Sequence, residues 1–464
     1  MREYELAWRW FLDKYGLMID SDIKIEDETG SIVMWQGSNE IRIVFPVLNH
    51  ANSSVITLEG FNIHARFIGR VVNMGNNSVP VIFIRSNNGK IPCGFIKNRE
   101  LILNFDPFAF IYHTLSGNLE LNLPSRVYLS MVERPFLDNL SEIIFRCIKY
   151  LFINNDCKFL IKPFWPNGNR FAVCLTHDVD EIRKTYQYIT RTIKFLKRFD
   201  LKGLKNELFS LMSKLKGKDP YWTFEDIVKL ERELNVRSTF FFLKETGKIS
   251  LLDRTTWRHL GRRYDFRDPK VSEIIKKLHS EGWEVGLHGS FYSYSNYDLL
   301  KKEKQELENV LGDRVIGIRQ HNLNLSIPET WRIHEALGFE YDTTLGSNHY
   351  VGFRWGTCFP FYPIDGDRFL NVLEIPLIIE DIVLFRYRDP WKKFLDIVNE
   401  VKRCGGVLTI LWHHSVFNDL DFPGWADMYR RMIECCKKEG AWITNACDIA
   451  IWWKKRVSLY GNKN

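Results

Sequence analysis

Two aspartates spaced two apart close an apolar run, Phe171-Ala-Val-Cys-Leu-Thr-His-Asp-Val-Asp180. On an extended strand Asp178 and Asp180 point to the same side. Paired carboxylates at the end of a buried strand repel each other and are costly to desolvate, so a metal, a proton or an arginine has to hold them. Such a pair is a candidate for chemistry, with one carboxylate on a metal and the other left as a base. The bland alternative is a strand followed by an acidic helix cap.

Three further strand-like runs repeat the design. His288 follows Trp283–Leu287, Arg319 and His321 follow Val315–Ile318, and His413 and His414 follow Val407–Trp412. Singly, His321 reads as a satisfied loop histidine and Arg319 as a surface ion pair. Together, on the same ends of four strands, they read as a catalytic constellation, because the C-terminal strand ends of a (β/α) barrel converge on one mouth. His414 points the other way from His413 on an extended strand and reads as structural.

The elements that must position these residues begin near residue 168. Apolar runs Phe171–Thr176, Ser238–Leu243, Trp283–Leu287, Val315–Ile318, Leu373–Ile379 and Val407–Trp412 alternate with helical patterns, with shorter runs near Phe339–Thr343 and Ala441–Thr444. Helices are expected over Val271–Glu281, Leu299–Leu311, from Ser326-Ile-Pro-Glu to Gly338, Pro390–Cys404 and Ala426–Glu439. The expected fold is α/β, a distorted (β/α) barrel of about seven strands over 166–464. Residues 1–165 form a smaller α+β domain, with a helix over 2–15, strands at Ile41–Phe45 and Val79–Ile84, and helices at Phe108–Leu115 and Pro135–Phe152. No catalytic constellation is visible in it.

A basic insertion covers 181–218. Its lysines and arginines accompany Tyr188, Ile189, Ile193, Leu196, Leu201, Leu204, Leu208 and Leu211 at helical spacing. It suits either a peripheral contact with an anionic membrane surface or a long helix packed on the barrel with a solvated basic face.

The 464 residues are 45% hydrophobic and 26% charged, an ordinary globular composition. The net charge of +7 is mild for this length, and no dense basic tract carries interleaved aromatics, so nucleic acid is not an expected partner. Fifteen Trp lean slightly toward a sugar ligand. The nine Cys are scattered with no CxxC pair, which argues for a reducing compartment and against a cysteine zinc site. No secretory leader or membrane-length apolar run is visible, so a cytoplasmic location is expected.

Residues 168–455 resemble the polysaccharide deacetylases of the NodB-homology type, carbohydrate esterase family 4. Thr176-His-Asp-Val-Asp180 resembles the first motif in its separated Asp-x-Asp form, which implies Asp178 as catalytic base and Asp180 as metal ligand. Gly282-Trp-Glu-Val-Gly-Leu-His288 resembles the strand leading to the metal histidine, Gly317-Ile-Arg319 the motif whose arginine pairs with the base, and Leu408-Thr-Ile-Leu-Trp-His413 the motif whose histidine is the general acid. Asp381, after Glu374-Ile-Pro-Leu377, takes the place of the carboxylate that orients that acid. Asn104-Phe-Asp-Pro-Phe-Ala-Phe110, Arg134-Pro-Phe136, Tyr341-Asp-Thr-Thr-Leu-Gly346 and Gly352-Phe-Arg-Trp-Gly356 resemble a subgroup with an extra N-terminal domain, associated with surface-polysaccharide biosynthesis.

The resemblance implies deacetylation of an N-acetylated sugar with a divalent metal, zinc being the expected one, on Asp180, His288 and His321. Trp412, Tyr292 and Arg354 are the candidates for contacting carbohydrate. The family's second metal histidine is missing, since Tyr292 stands four residues after His288. His321 is the replacement third ligand of choice, and His177 is the weaker one. The rival expectations are a degenerate carbohydrate-binding or assembly protein and a C–N hydrolase acting on a small amide.

Overall fold

Every residue of Phe171–Val179 is buried, as expected of a strand with neighbours on both edges and cover on both faces. The computed structural model describes residues 2–19, 22–26, 30–45, 79–86, 89–123, 125–246 and 262–458. Phe171–Val179 is the centre of a nine-stranded sheet in which the pairings are parallel. One of its edges pairs with Val407–Leu411. The other is shared, its first half by Ala441–Thr444 and its second by Thr239–Leu243. From there the sheet continues through Glu284–Gly289, Gly317–Gln320, Tyr341–Asp342 and Leu373–Glu374. On the far side Val407–Leu411 pairs with Ile379–Glu380.

The two ends of the sheet, 373–374 and 379–380, are joined by residues 375–378. Ile375 N donates to Asp342 O at 2.8 Å and Leu377 N to Leu345 O at 2.9 Å, whereas Ile378 N donates to Thr409 O at 3.1 Å. One short segment leaves the first end and reaches the second. The result is the distorted (β/α) barrel, closed at a seam by chain rather than by a ladder. Leu373–Ile379, expected as one strand, is two short ones on opposite sides of this seam. Pro376 stands between them and has no N–H to give to a ladder.

The helices outside the sheet carry the expected end signals. Asp268 and Asp389 accept from the N–H groups of Lys270 and Lys392, each with a proline at the first turn. Asn296 caps Tyr297–Leu311, which Gly312 ends in the left-handed conformation. Inside the barrel a Cβ on Gly286 would come 2.5 Å from the Phe241 ring, and one on Gly317 would come 2.1 Å from Tyr341 Oη. Glycine at both positions leaves room for two rings. Phe241 lies 4.8 Å from the Arg319 guanidinium carbon.

The chain divides into two units, 1–168 with 352–370 and 453–464, and 169–351 with 371–452. Segments 352–370 and 453–464, expected in the barrel domain, thus cluster with the N-terminal residues. The reason is polar: Asp138 accepts from Thr357 Oγ1 and Cys358 N, both at 2.8 Å, and Arg456 donates to Asp13 O at 2.6 Å and Pro163 O at 3.1 Å.

The first unit holds a six-stranded sheet in the order 22–26, 31–36, 39–44, 100–103, 89–97, 79–86. Its pairings are antiparallel apart from Asn39–Val44 with Glu100–Leu103. The helices Arg2–Tyr15, Pro107–Leu115 and Phe136–Asn154 complete it around an aromatic core in which Tyr15 stacks on Phe145 at 4.1 Å. Among the described residues no helix is long and apolar enough to cross a membrane.

Candidate active site at the barrel mouth

Arg319 is wholly buried and spends its guanidinium on fixed partners. Nη1 donates to Asp178 Oδ1 and to Thr176 Oγ1, each at 2.8 Å, Nε to Thr343 O at 3.1 Å and Nη2 to Thr343 Oγ1 at 3.0 Å. Burial alone would raise the Asp178 carboxyl, but Arg319 first, then His288 and His413, bring it below the ordinary value. Asp178 is therefore a charged carboxylate with Oδ1 committed to Arg319. Its Oδ2 lies 3.5 Å from His288 Nε2.

His288 is the register neighbour of Arg319 on the adjacent strand. Its Nδ1 lies 2.8 Å from Arg319 O, so the proton sits there and Nε2 turns to the carboxylates, 3.2 Å from Asp180 Oδ1. Burial pulls the His288 pKa down, but Asp178 and Asp180 outweigh it and raise it. His321 Nδ1 lies 3.1 Å from Glu245 Oε2, and its Nε2 lies 3.8 Å from Asp180 Oδ2. Here burial wins and the pKa falls to about 4, so this imidazole is neutral.

Asp180 thus turns one oxygen to His288 and the other to His321, a set of residue types whose chemistry fits a divalent cation. Each imidazole has its Nδ1 fixed by an acceptor, which turns Nε2 toward Asp180, the arrangement that orients metal-ligating histidines. Among the described residues the buried Asp180 Oδ1 accepts no aligned hydrogen bond. One carboxylate and two imidazoles suit zinc. One cation is already present: Arg262 Nη1 donates to His321 Nε2 at 2.5 Å, and its Nη2 lies 3.3 Å from Asp180 Oδ2. Burial would raise Asp180, but Arg262 foremost, with His321 and His288, holds it well below the ordinary carboxylate range.

Across the mouth His413 Nδ1 lies 2.8 Å from Asp381 Oδ1, and its backbone N donates to Asp381 Oδ2 at 2.6 Å. Burial works against the imidazolium, but Asp381, supported by Asp180 and Asp178, raises His413 to about 10. His413 and Asp178 are close enough for each charge to move the other.

The remaining expected residues are placed differently. Trp412 is fully buried, edge-on to Phe385 and Trp425 and beside Tyr429, so neither face is open to a sugar. Successive strand residues alternate sides, and His413 takes the mouth. Arg354 belongs to the first unit, where its Nε donates to Glu120 at 3.0 Å. Tyr292 is 54% exposed. His177 faces away from Asp178 and Asp180. Its Nδ1 lies 2.6 Å from Trp412 O and its Nε2 3.0 Å from Glu231, a buried carboxylate that Ser238, Trp283 and Tyr429 also bond. His414, expected to be structural, is buried with Nδ1 3.2 Å from Asp178 O.

Three residues escaped the sequence reading. Glu245 lies two past the strand Thr239–Leu243, in step with Phe241. Glu380 groups with Asp381 and His413 within 4.8 Å, and burial raises it to about 7 although His413 pulls it down. Arg262 has no local signal, since it lies in no periodic element.

No family model and no curated protein matches the chain. Solved structures do. A candidate polysaccharide deacetylase from Mycobacterium smegmatis matches at 18% identity and TM-score 0.42, covering 63% of this chain and 93% of that one. The PuuE allantoinase matches at 15% and 0.41, over 63% and 93%. A CE4-family pseudoenzyme from Bacillus anthracis matches at 14% and 0.30, over 62% and 66%. Likenesses this distant say nothing of activity, which has to come from the side chains themselves.

Proposed function

We propose that the barrel removes the acetyl group from an N-acetylated sugar in a metal-dependent hydrolysis of the polysaccharide-deacetylase type. One observation carries this reading: a carboxylate locked by Arg319 and an imidazolium locked by Asp381 face one mouth, beside Asp180, His288 and His321. A base and an acid held apart by different partners are what amide hydrolysis requires.

Asp180, His288 and His321 would hold the metal, with zinc the ion their donors favour. When bound, it supplies a Lewis acid that polarises the acetamide carbonyl and acidifies water. Asp178 takes the proton of the attacking water at Oδ2, the oxygen Arg319 leaves free. Arg319 keeps that carboxylate ionised and aimed. As the carbon–nitrogen bond breaks, His413 gives its Nε2 proton to the amine nitrogen, and Asp381 stabilises the imidazolium until then. Acetate and the free amine leave. Tyr292, exposed on the segment after His288, is the aromatic that offers a sugar a stacking face.

All nine cysteines are free thiols, which supports a reducing, cytoplasmic location and a precursor of surface polysaccharide as the substrate. A second reading, a non-catalytic carbohydrate-binding protein, draws on Arg262, whose guanidinium holds His321 Nε2 and Asp180 Oδ2. A C–N hydrolase on a small amide would use the same residues and differ in substrate alone.

The deciding experiment is acetate release from N-acetylglucosamine oligomers and nucleotide-linked N-acetyl sugars by the full chain reconstituted with zinc, beside Asp178→Asn. Loss of turnover by on the order of a thousandfold in the variant, with zinc still bound, supports the assignment. Turnover surviving in the variant removes Asp178 as the base. Sugar binding with no acetate released by the zinc-loaded protein favours the second reading.

A further inference from the structure

The helices Gln187–Lys197 and Leu201–Leu215 are packed inside out. A surface helix ordinarily buries its apolar stripe. Here the buried residues are Gln187 on the first helix and Gly203, Glu207 and Ser210 on the second. Ile189, Ile193 and Leu196, spaced along one face, are exposed instead, as are Leu201, Leu208 and Leu215 on the next helix, Leu201 and Leu215 by about four-fifths of their surface. The expectation that an apolar face would pack on the barrel is reversed.

The polar side is firmly tied down. Lys184 Nζ is buried and donates to Glu207 at 2.8 Å, Asp421 at 2.8 Å and Ser210 at 3.2 Å. Arg191 Nε donates to Glu207 at 2.8 Å, and Asn206 to Leu420 O at 3.1 Å. A Cβ on Gly203 would come 2.5 Å from the Phe195 ring, so glycine is what lets the two helices cross this closely. Charge-assisted bonds of this kind fix an orientation, and the apolar face is turned outward by construction.

At the tip Phe199 is 90% exposed and sits at φ +54°. A bulky side chain in the left-handed region is an outlier, and here the strain buys no burial for the ring.

Charge completes the pattern. Lys194, Lys197, Arg198, Lys202, Lys205 and Lys216 are exposed. The acidic residues of 187–218 are Asp200, whose carboxylate accepts from Gly203 N, and Glu207, which is buried in its ion pairs. A contiguous apolar face with a rim of one sign marks an interaction site. A second copy of the chain would bring its own positive rim against this one, which is unfavourable. Nucleic acid would meet the lysines and leave the leucines in water.

We propose that this helical hairpin docks the protein on an anionic lipid bilayer. Phe199 and the outward leucines enter the boundary between headgroups and acyl chains, and the lysines lie against the phosphates. The inference is independent of what the barrel mouth catalyses.

The test is co-sedimentation of the full chain with vesicles of phosphatidylcholine alone and of phosphatidylcholine with phosphatidylglycerol in equal parts. Binding to the anionic vesicles, weakened by salt, is expected. The double variant F199S/L208S should bind about tenfold or more weakly, and K197Q/K202Q about fivefold more weakly for each charge removed. All four side chains are exposed, so thermal unfolding of both variants should match the parent and separate lost docking from lost fold. Absence of binding to anionic vesicles overturns the proposal, as does unaltered binding by both variants. A concentration-dependent dimer dispersed by F199S/L208S, with no vesicle binding, also overturns it and assigns the face to a second copy.

Discussion

The guanidinium of Arg262 donates to His321 Nε2 at 2.5 Å while its other terminal nitrogen lies 3.3 Å from Asp180 Oδ2. A single side chain thereby holds His321 Nε2 and one of the two carboxylate oxygens of Asp180. Metal and arginine cannot both hold these atoms in this arrangement, so Arg262→Ala should tighten zinc binding by about tenfold, the equivalent of ~1.4 kcal/mol of competing contact. Competition with a chromophoric chelator measures this. Weaker zinc binding in the variant would make Arg262 a support of the site and not a competitor.

His413 should carry a measurable pH signature. Its pKa rises from 6.5 to about 10 on folding, since Asp381 outweighs burial. A group with a raised folded pKa stabilises fully below its unfolded pKa, and the contribution is lost as pH climbs through the folded one. Stability should therefore decline between about pH 6.5 and about 10. Asp381→Asn should bring the His413 ring resonance back toward ordinary titration and flatten that decline. An unchanged titration would remove Asp381 as its partner.

Metal binding should release a proton. His288 sits between Asp178 and Asp180, which favour its protonated form, and a metal can take Nε2 only from the neutral ring. Zinc affinity should fall as pH drops through that raised pKa, and calorimetry in buffers of different ionisation enthalpy should count the proton. In His288→Ala the proton and most of the affinity should disappear together. Binding enthalpy independent of the buffer would contradict this.

In the first unit Asp138 accepts from Lys14 Nζ at 2.7 Å, with both groups buried. Removing one member of a buried pair costs roughly 3–5 kcal/mol, whereas an apolar pair of similar shape can be neutral. Asp138→Ala should lower the unfolding midpoint in urea, and adding Lys14→Met should recover part of the loss. A double variant no better than the single one would place the cost in the bonds from Thr357 and Cys358 instead.

The parts of the site that rest on periodicity were legible in the sequence. Asp178 and Asp180 share a side because strands alternate, and Arg319 and His413 follow from the convergence of strand ends. The same alternation sends Trp412 into the core, which makes its expected sugar contact untenable. Arg354 lies in a segment that returns to the other unit, a tertiary event with no local pattern. Glu245 keeps step with Phe241 and could have been found; Arg262 could not, because it lies on a turn, where no strand or helix period sets its direction. Helical spacing revealed the stripe of residues 189–215, but spacing has no sign. Which side faces the protein was decided by the buried partners of Lys184.

The seam at residues 375–378 decides where Asp381, the partner of His413, is placed. Ile379–Glu380 is the short strand on the far side of that seam, and Asp381 is the next residue. Without the crossing from Asp342 to Thr409, the carboxylate that charges His413 has no fixed address. Asp178, His288 and Arg319 are placed by the neighbouring parallel strands instead, without the seam. The two halves of the mouth thus have different structural supports: one rests on a ladder, the other on a four-residue strap.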